Sequence, residues 1–372
     1  MLITCFSDIH NMLSMLSMPT TLRRTVAMGV DENLKRFGPA DLTIVGGDSV
    51  SDYPSWTSSG WLPYRNFLNI KAKQNAELAR GTKSGRLLYV AGNHDYACGE
   101  GVKAGYNDCP YNSAEYYETG PMKESLGTLG EKDACWGYSE RLGAHAGAYL
   151  LGFHYVVDGM DFYGLNLHPD EIYSHQGMLP GSVVRFSPDA LRWLKKRLAE
   201  TDPDGWKPTF VISHIPPERN TDPENRAMLY DAYRGHRNIF HLFGDTHGIV
   251  RNGFTAQQVY LHDNDAVTRG DNQRTSGDFG TQDYLFTALL MGTSRYDEAY
   301  ESDRVVGDGG EPGLEAHERT ATPLIAQGLV IRTFSDRIEF QMCNHAKGRD
   351  GQFRPTDQIE PYIAYFRAPR AL

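Results

Sequence analysis

Five times within the first 247 residues, a short apolar run of strand character ends directly in a carboxylate, imidazole or amide side chain. Residues 2–6 run into Ser7-Asp8 and then His10, and residues 41–45 into Gly46-Gly47-Asp48. Residues 87–91 run into Gly92-Asn93-His94-Asp95, Thr209–Ser213 into His214, and residues 238–243 into Gly244-Asp245-Thr246-His247. Helix-like stretches at 20–37, closed by Gly38-Pro39, and at 64–80 separate the first three strands. Strands alternating with helices build βαβ units, and in such sheets ligands sit at the carboxyl ends of the strands. Polar side chains repeated at those ends therefore predict one shared site.

The remaining chain fills in the frame. Residues 149–157 and 161–167 flank Asp158-Gly159-Met160 and read as a hairpin. Ser187-Pro188 reads as an N-cap and first turn, followed by a Leu191, Leu194, Leu198 stripe that predicts a buried helix face ending near Thr201. Arg192, Lys195, Lys196 and Arg197 read as the solvated face of that helix. Residues 284–291, 328–334 and 338–342 read as antiparallel strands closing a second sheet, and 297–321 as a polar loop. One domain is expected over 1–372, with a loop-rich insertion at 96–148 and a strand-rich C-terminal part at 283–372.

Composition narrows the function classes. The 40% hydrophobic content of this 372-residue chain supports a packed core and excludes a disordered chain. A formal charge of −10 disfavours a nucleic-acid coat or a polybasic membrane binder. No run reaches the roughly 18 apolar residues of a membrane span. Cys5, Cys98, Cys109, Cys135 and Cys343 form no CxxC pair, which argues against a disulfide scaffold or a structural zinc site; a Cys98–Cys109 pair would need an oxidising compartment. The expected setting is the cytoplasm, or outside the cell if a leader has been removed.

Carboxylates and imidazoles converging on one edge are costly without cations, and divalent ions offset that cost. Imidazole with carboxylate and amide oxygen suits Mn, Fe, Zn or Ni better than Ca. The ordered series Asp8-x-His10, Gly47-Asp48, Gly92-Asn93-His94-Asp95, His214 and Gly244-Asp245-Thr246-His247 resembles the calcineurin-like metallophosphoesterase superfamily, whose blocks are DxH, GD, GNH[DE], H and GHxH. That resemblance implies a four-layer α/β/β/α sandwich of two mixed sheets packed face to face with outer helices. It also implies two divalent ions: Asp8, His10 and His247 on the first, Asp48 bridging, Asn93 and His214 on the second. Asp245 occupies the remaining second-ion position, where the family has His. A carboxylate there favours a harder metal, Mn or Fe, over Zn or Ni. The implied reaction is phosphoester hydrolysis by a dinuclear-metal-activated hydroxide, with His94 as general acid and Asp95 as its orienter.

Substrate class is narrowed by what the blocks lack. Protein serine/threonine phosphatases of the superfamily carry GDxVDRG and GNHE, whereas Ser49-Val50-Ser51-Asp52 follows Asp48 and the third block ends in Asp95. Purple acid phosphatases need Tyr where Ser51 stands. Small phosphodiesterases and nucleotide phosphohydrolases remain, so the expected partner is a small phosphorylated substrate such as a nucleotide. Phosphomonoesterase or nucleotide pyrophosphatase activity, and a non-catalytic scaffold on the same fold, are the alternatives. Tyr106, Tyr111, Tyr116, Tyr117 and Trp136 either stack on a base or pack the insertion. His154, His168, His175, His236 and His241 belong to no block and read as structural. A dinucleotide-binding fold is excluded, because no GxGxxG follows the first strand.

Overall fold

Alternation along the strands sets the layers. In the computed structural model, Phe210 and Ile212 of β7 (Thr209–Ser213) and Phe240 and Leu242 of β8 (Ile239–Phe243) belong to one core cluster. Their neighbours Val211, Ile239 and Phe243 belong to another. The structure describes residues 1–9, 26–49, 73–92, 129–139, 147–167, 185–217, 222–245, 257–261, 267–269, 284–291, 327–344 and 361–366.

Among the described residues, to which both sheet counts refer, the first sheet has six strands. β1 (Leu2–Phe6), β2 (Leu42–Val45) and β3 (Leu87–Tyr89) are parallel, and β12 (Gln327–Thr333), β13 (Arg337–Asn344) and β14 (Tyr362–Tyr365) continue it antiparallel, in the order β14-β13-β12-β1-β2-β3. The second has eight, in the order β10-β9-β11-β8-β7-β6-β5-β4. Its parallel centre is β6 (Met160–Leu165), β7, β8 and β11 (Tyr284–Leu290); β4 (Ala134–Ser139) and β5 (Gly147–Val157) flank one side, β9 (Gln257–Leu261) and β10 (Val267–Arg269) the other.

The sheets meet through aromatic rings. Phe162 stacks on Phe210 at 5.1 Å, Phe210 lies 5.7 Å from Phe240, and Phe240 lies 5.6 Å from Phe340 of β13, in the opposite sheet. Large rings fully withdrawn from water dominate such an interface energetically. Val30 of α1 (Ala27–Phe37) and Leu78 of the helical segment 73–80 join this cluster. On the other side, α2 (Pro188–Thr201) buries Leu191, Leu194 and Leu198, and α3 (Pro223–Tyr233) buries Leu229 and Tyr233, against the second sheet. The result is the four-layer α/β/β/α sandwich.

Several expectations need correction. The strands at 284–291 and 327–344 do not close one sheet together. β12 and β13 form the expected hairpin, but β12 pairs with β1 in the first sheet, while β11 pairs parallel to β8 in the second. Hydrophobic alternation fixes which face of a strand is buried and leaves its sheet open. The stretch expected to be loop at 96–148 contributes β4 and the start of β5. Ser187 takes the N-cap position without a side-chain capping bond, and Leu191 N–H instead closes on its carbonyl at 3.1 Å. Arg197 is not solvated: it is 12% exposed and bonds Asp133 at 3.0 Å and His154 at 3.1 Å. Helix α3 had a signal that the sequence reading passed over: Asp222 caps Glu224 and Asn225 N–H at 3.0 and 3.1 Å, with Pro223 in the first turn. Among the described residues Cys5, Cys135 and Cys343 form no disulfide; Cys98 and Cys109 lie outside the described residues, as do His168, His175 and 297–321.

Candidate metal centre

Parallel neighbours deliver their carboxyl ends to one place. Asp8 follows β1, Asp48 follows β2, His214 directly follows β7 and Asp245 follows β8. With the two sheets face to face, these four exits converge. Asp8, Asp48 and His214 are all buried, and one ligand atom from each lies within 4.8 Å of the others.

The backbone at these exits is held in a conformation that few residues accept. Asp8, Asp48 and Asp245 have φ of 52°, 50° and 64°. Aspartate is among the few non-glycine residues that enter the left-handed region readily, and such strain clusters at functional sites. Two glycines allow the exits to close up. A Cβ on Gly47 would stand 2.6 Å from Gly92 N and 2.7 Å from His214 Nδ1, and one on Gly92 would collide with the Asp48 carboxylate. Backbone bonds from Asp8 N–H to Gly47 O (3.1 Å), Gly46 N–H to Phe6 O (2.8 Å) and Gly244 N–H to His214 O (2.9 Å) lock the turns together.

Hydrogen bonds then aim the side chains. Ser7 Oγ donates to Asp8 Oδ2 at 2.7 Å, with Gly46 O at 3.1 Å as its second acceptor. Asp245 N–H donates to both Asp8 oxygens at 3.1 and 3.2 Å, tying the exit of β8 to that of β1. His214 Nδ1 lies 2.6 Å from Gly46 O, and since a carbonyl only accepts, Nδ1 carries the hydrogen. Nε2 is thereby turned inward, 3.2 Å from Asp48 Oδ2 and 3.9 Å from Asp245 Oδ1. Burial would depress the His214 pKa; the Asp48 carboxylate first, then Asp8 and Asp245, outweigh it and hold the imidazole well above its ordinary value.

The residues present fit a divalent cation. Nε2 of His214 is buried and makes no hydrogen bond among the described residues. In the neutral ring its lone pair faces two carboxylates, with Nδ1–H anchored on a carbonyl, the arrangement usual for a ligating histidine. Carboxylate and imidazole donors with no thiolate suit a first-row divalent metal.

Support that the sequence reading missed lies just behind these ligands. Ser49, next to Asp48, is bonded to Tyr89 Oη at 2.6 Å and receives Gln74 Nε2–H at 2.9 Å. Ser213 Oγ donates to Ile215 O at 2.7 Å, so His241 Nε2–H at 2.8 Å donates to Ser213, and Tyr233 O–H at 2.8 Å donates to His241 Nδ1. Only the adjacency of Ser49 and Ser213 to ligands marks them in sequence. Of the expected site residues, Asp8, Asp48, His214 and Asp245 are brought together; His10, Asn93, His94, Asp95 and His247 lie outside the described residues. Trp136 sits on β4, 37% exposed, while Tyr106, Tyr111, Tyr116 and Tyr117 lie outside the described residues.

Two facing sheets whose parallel strands end in buried carboxylates and an imidazole define a metal-dependent hydrolase. The chain belongs to the calcineurin-like phosphoesterase family, whose model matches residues 1–249, and it is a phosphoester hydrolase. The curated proteins contain no significant match to the sequence. Among solved structures, a dimetal phosphatase from Danio rerio aligns with 98% of this chain and 99% of its own, at 10% identity and a TM-score of 0.51. A 5'-nucleotidase precursor from Thermus thermophilus aligns with 94% of this chain and 55% of its own, at 11% identity and a TM-score of 0.40. A NAD nucleotidase from Haemophilus influenzae aligns with 95% and 59%, at 12% identity and a TM-score of 0.41. At 10% identity the likeness to the Danio rerio phosphatase is one of fold.

Proposed function

We propose that this protein hydrolyses a phosphodiester in a small, nucleotide-like substrate, using two divalent ions, Mn or Fe. The observation that carries this reading is the Asp8–Asp48–His214 cluster, with its ligand atoms within 4.8 Å and Nε2 turned inward. Asp8, His10 and His247 would hold the first ion and Asn93, His214 and Asp245 the second, with Asp48 shared between them. Such a pair, when bound, supplies an activated water and neutralises charge on the phosphoryl oxygens. His94 donates a proton to the leaving oxygen, and Asp95 beside it keeps that imidazole oriented and protonated.

Asp245 supports a diester over a monoester. Its carboxylate stands where a neutral imidazole would otherwise stand, adding one negative charge beside the phosphoryl position. A monoester carries nearly two negative charges at neutral pH and a diester one, so the added charge repels the monoester more. Trp136 supports a base in the substrate. It lies on β4 opposite Leu150, at the same end of the sheet as the β6 and β7 exits, with an exposed ring.

The test is hydrolysis of bis-(p-nitrophenyl) phosphate beside p-nitrophenyl phosphate by chelator-stripped protein given Mn²⁺. Metal-dependent cleavage that favours the diester is expected, with the ratio falling in Asp245→His. Cleavage of the monoester alone overturns the diester reading, and a ratio indifferent to Asp245→His removes its electrostatic basis. His94→Ala is expected to slow esters with alkoxide leaving groups far more than nitrophenyl esters, and equal losses remove His94 from the acid role.

A further inference from the structure

The third motif leaves the first sheet at β3, which among the described residues is the outermost strand and pairs with β2 alone. Val90 N–H still bonds β2, at Val45 O (3.0 Å), but Ala91 N–H has left the ladder. It donates instead to Asn166 Oδ1 at 2.9 Å. Asn166 follows β6 in the second sheet and is fully buried. Its Nδ2–H₂ donates to Leu150 O at 3.0 Å, and its own N–H to Leu151 O at 2.9 Å. Those carbonyls straddle a bulge in β5: Cys135 pairs with Gly152 and Trp136 with Leu150, so Leu151 is the extra residue. Bulges recur beside active sites, where they redirect a strand or a side chain. The side-chain amide thus binds Leu150 O and the backbone N–H binds Leu151 O, and the same side chain links the bulge to the exit of β3.

The next residue shows what that link controls. Gly92 lies so close to Asp48 that any Cβ on it would strike the Asp48 carboxylate and come within 2.4–2.7 Å of its neighbouring atoms. Movement at Ala91 therefore presses on Asp48. Asn93 and His94 follow Gly92 in the chain. The fifth fixed point of the site, the β3 exit, is registered against the sheet that carries His214 and Asp245 by this amide.

We propose that Asn166 is a positioning residue of the phosphoesterase site, holding Ala91-Gly92, and through them Asp48 and the third motif, in register with the opposite sheet. This rests on the metal-site reading above. Asn166 touches neither metal nor substrate, and it acts through the β3 exit. Partners standing behind metal ligands change metal affinity or activity by about 10- to 100-fold when removed.

Asn225 is the matched control. It is a buried amide on α3 that accepts Phe186 N–H at 3.0 Å and donates to Phe186 O at 2.8 Å, so it holds the segment bridged to Leu167 and not the exit of β3. Asn166→Leu and Asn225→Leu each remove two buried amide hydrogen bonds. Mn²⁺ binding to chelator-stripped full-length protein, measured by calorimetry, is expected to weaken by about 10- to 100-fold in Asn166→Leu and to stay within about 3-fold of wild type in Asn225→Leu. With metal saturating, kcat on bis-(p-nitrophenyl) phosphate falls in the first and holds in the second, with KM little changed. If Asn166→Leu does not fold, Asn166→Ala and Asn225→Ala, which add no bulk, give the same comparison. Equal losses in both variants, or wild-type affinity in the Asn166 variant, overturn the positioning role. Where Asp48→Asn abolishes Mn²⁺ binding while the Asn166 variant binds normally, the metal-site reading survives and only the Asn166 role falls. A wild-type protein that binds no Mn²⁺ overturns both.

Discussion

The two ends of the eight-stranded sheet both bury carboxylates and imidazoles, and they treat them in opposite ways. At the amino ends, Asp161 at the start of β6 receives a hydrogen bond from His154 at 2.7 Å and an ion pair from Lys207, while Arg197 bridges Asp133 and His154. Since Arg197 only donates, His154 Nδ1 accepts and its Nε2–H donates to Asp161. His154 also stacks on Tyr163 at 4.4 Å. Burial would raise the Asp161 pKa, but His154 and Lys207 outweigh it and hold the carboxyl below the usual range. At the carboxyl ends, where β1 and β2 of the facing sheet also exit, Asp8, Asp48 and Asp245 converge on the imidazole of His214 among the described residues, with all three carboxylates on left-handed backbone. The first end is a closed polar network that holds strands and helix together. The second is a set of donors aimed inward, which a divalent ion completes. Buried charge alone does not mark a site; the balance of charge and the strain of the backbone do.

The comparison breaks most visibly at Asp48. Asp48→Asn keeps a residue that tolerates left-handed backbone, yet removes the central carboxylate. Metal-dependent hydrolysis is expected to fall to background. Wild-type protein should gain about 2.7 kcal/mol of stability for a site exposed to ion at one hundred times its Kd, and the variant none, measured as a shift in denaturant midpoint. A variant that metal still stabilises contradicts the role given to Asp48.

His241 sharpens the contrast, because it lies one strand from His214, is equally buried and is surrounded by hydroxyls in place of carboxylates. Burial pushes its pKa down to about 3. The folded state thus refuses a proton that the unfolded chain accepts below about pH 6.5, so its contribution is complete above that pH and is lost on acidification. Stability should fall by about 1.4 kcal/mol per pH unit from about pH 6.5 down toward its folded value, and His241→Gln should flatten that slope. An unchanged slope in the variant removes His241 as its source.

Lys207→Met tests the amino end. Losing one cation beside buried Asp161 should cost about 2 kcal/mol, discounted because Lys207 is 36% exposed. The Asp161 contribution is present above the unfolded carboxylate value and is lost as pH falls through its lower folded value; without Lys207 that loss begins at higher pH. Acid unfolding should therefore move upward while kcat per folded molecule stays level. A lost kcat would show that the two ends are coupled. The smallest effect belongs to Asp222→Ala, which removes the α3 cap: about 1 kcal/mol by denaturant titration, with no change in Mn²⁺ affinity.

How much of this was legible in sequence follows from what each feature depends on. Asp8, Asp48, His214 and Asp245 were visible because local signals coincide at each: an apolar strand, then a ligand-type residue. The sandwich followed from the family resemblance that those ordered blocks carry. Sheet membership was not visible, since the pairing of β12 with β1 and of β11 with β8 is decided by contacts far away in sequence. Arg197 looked solvated because its periodicity places it beside lysines, and its acid partner Asp133 is distant in the chain. Asn166 carried no signal, because its meaning comes from a bulge one strand away and an N–H in the other sheet.

The most direct test of the central claim is metal stoichiometry by elemental analysis after Mn²⁺ reconstitution and dialysis of wild-type and Asp48→Asn protein. The account predicts two ions per wild-type chain and none retained by the variant. A wild-type chain that retains no ion, or a variant that retains both, would contradict it.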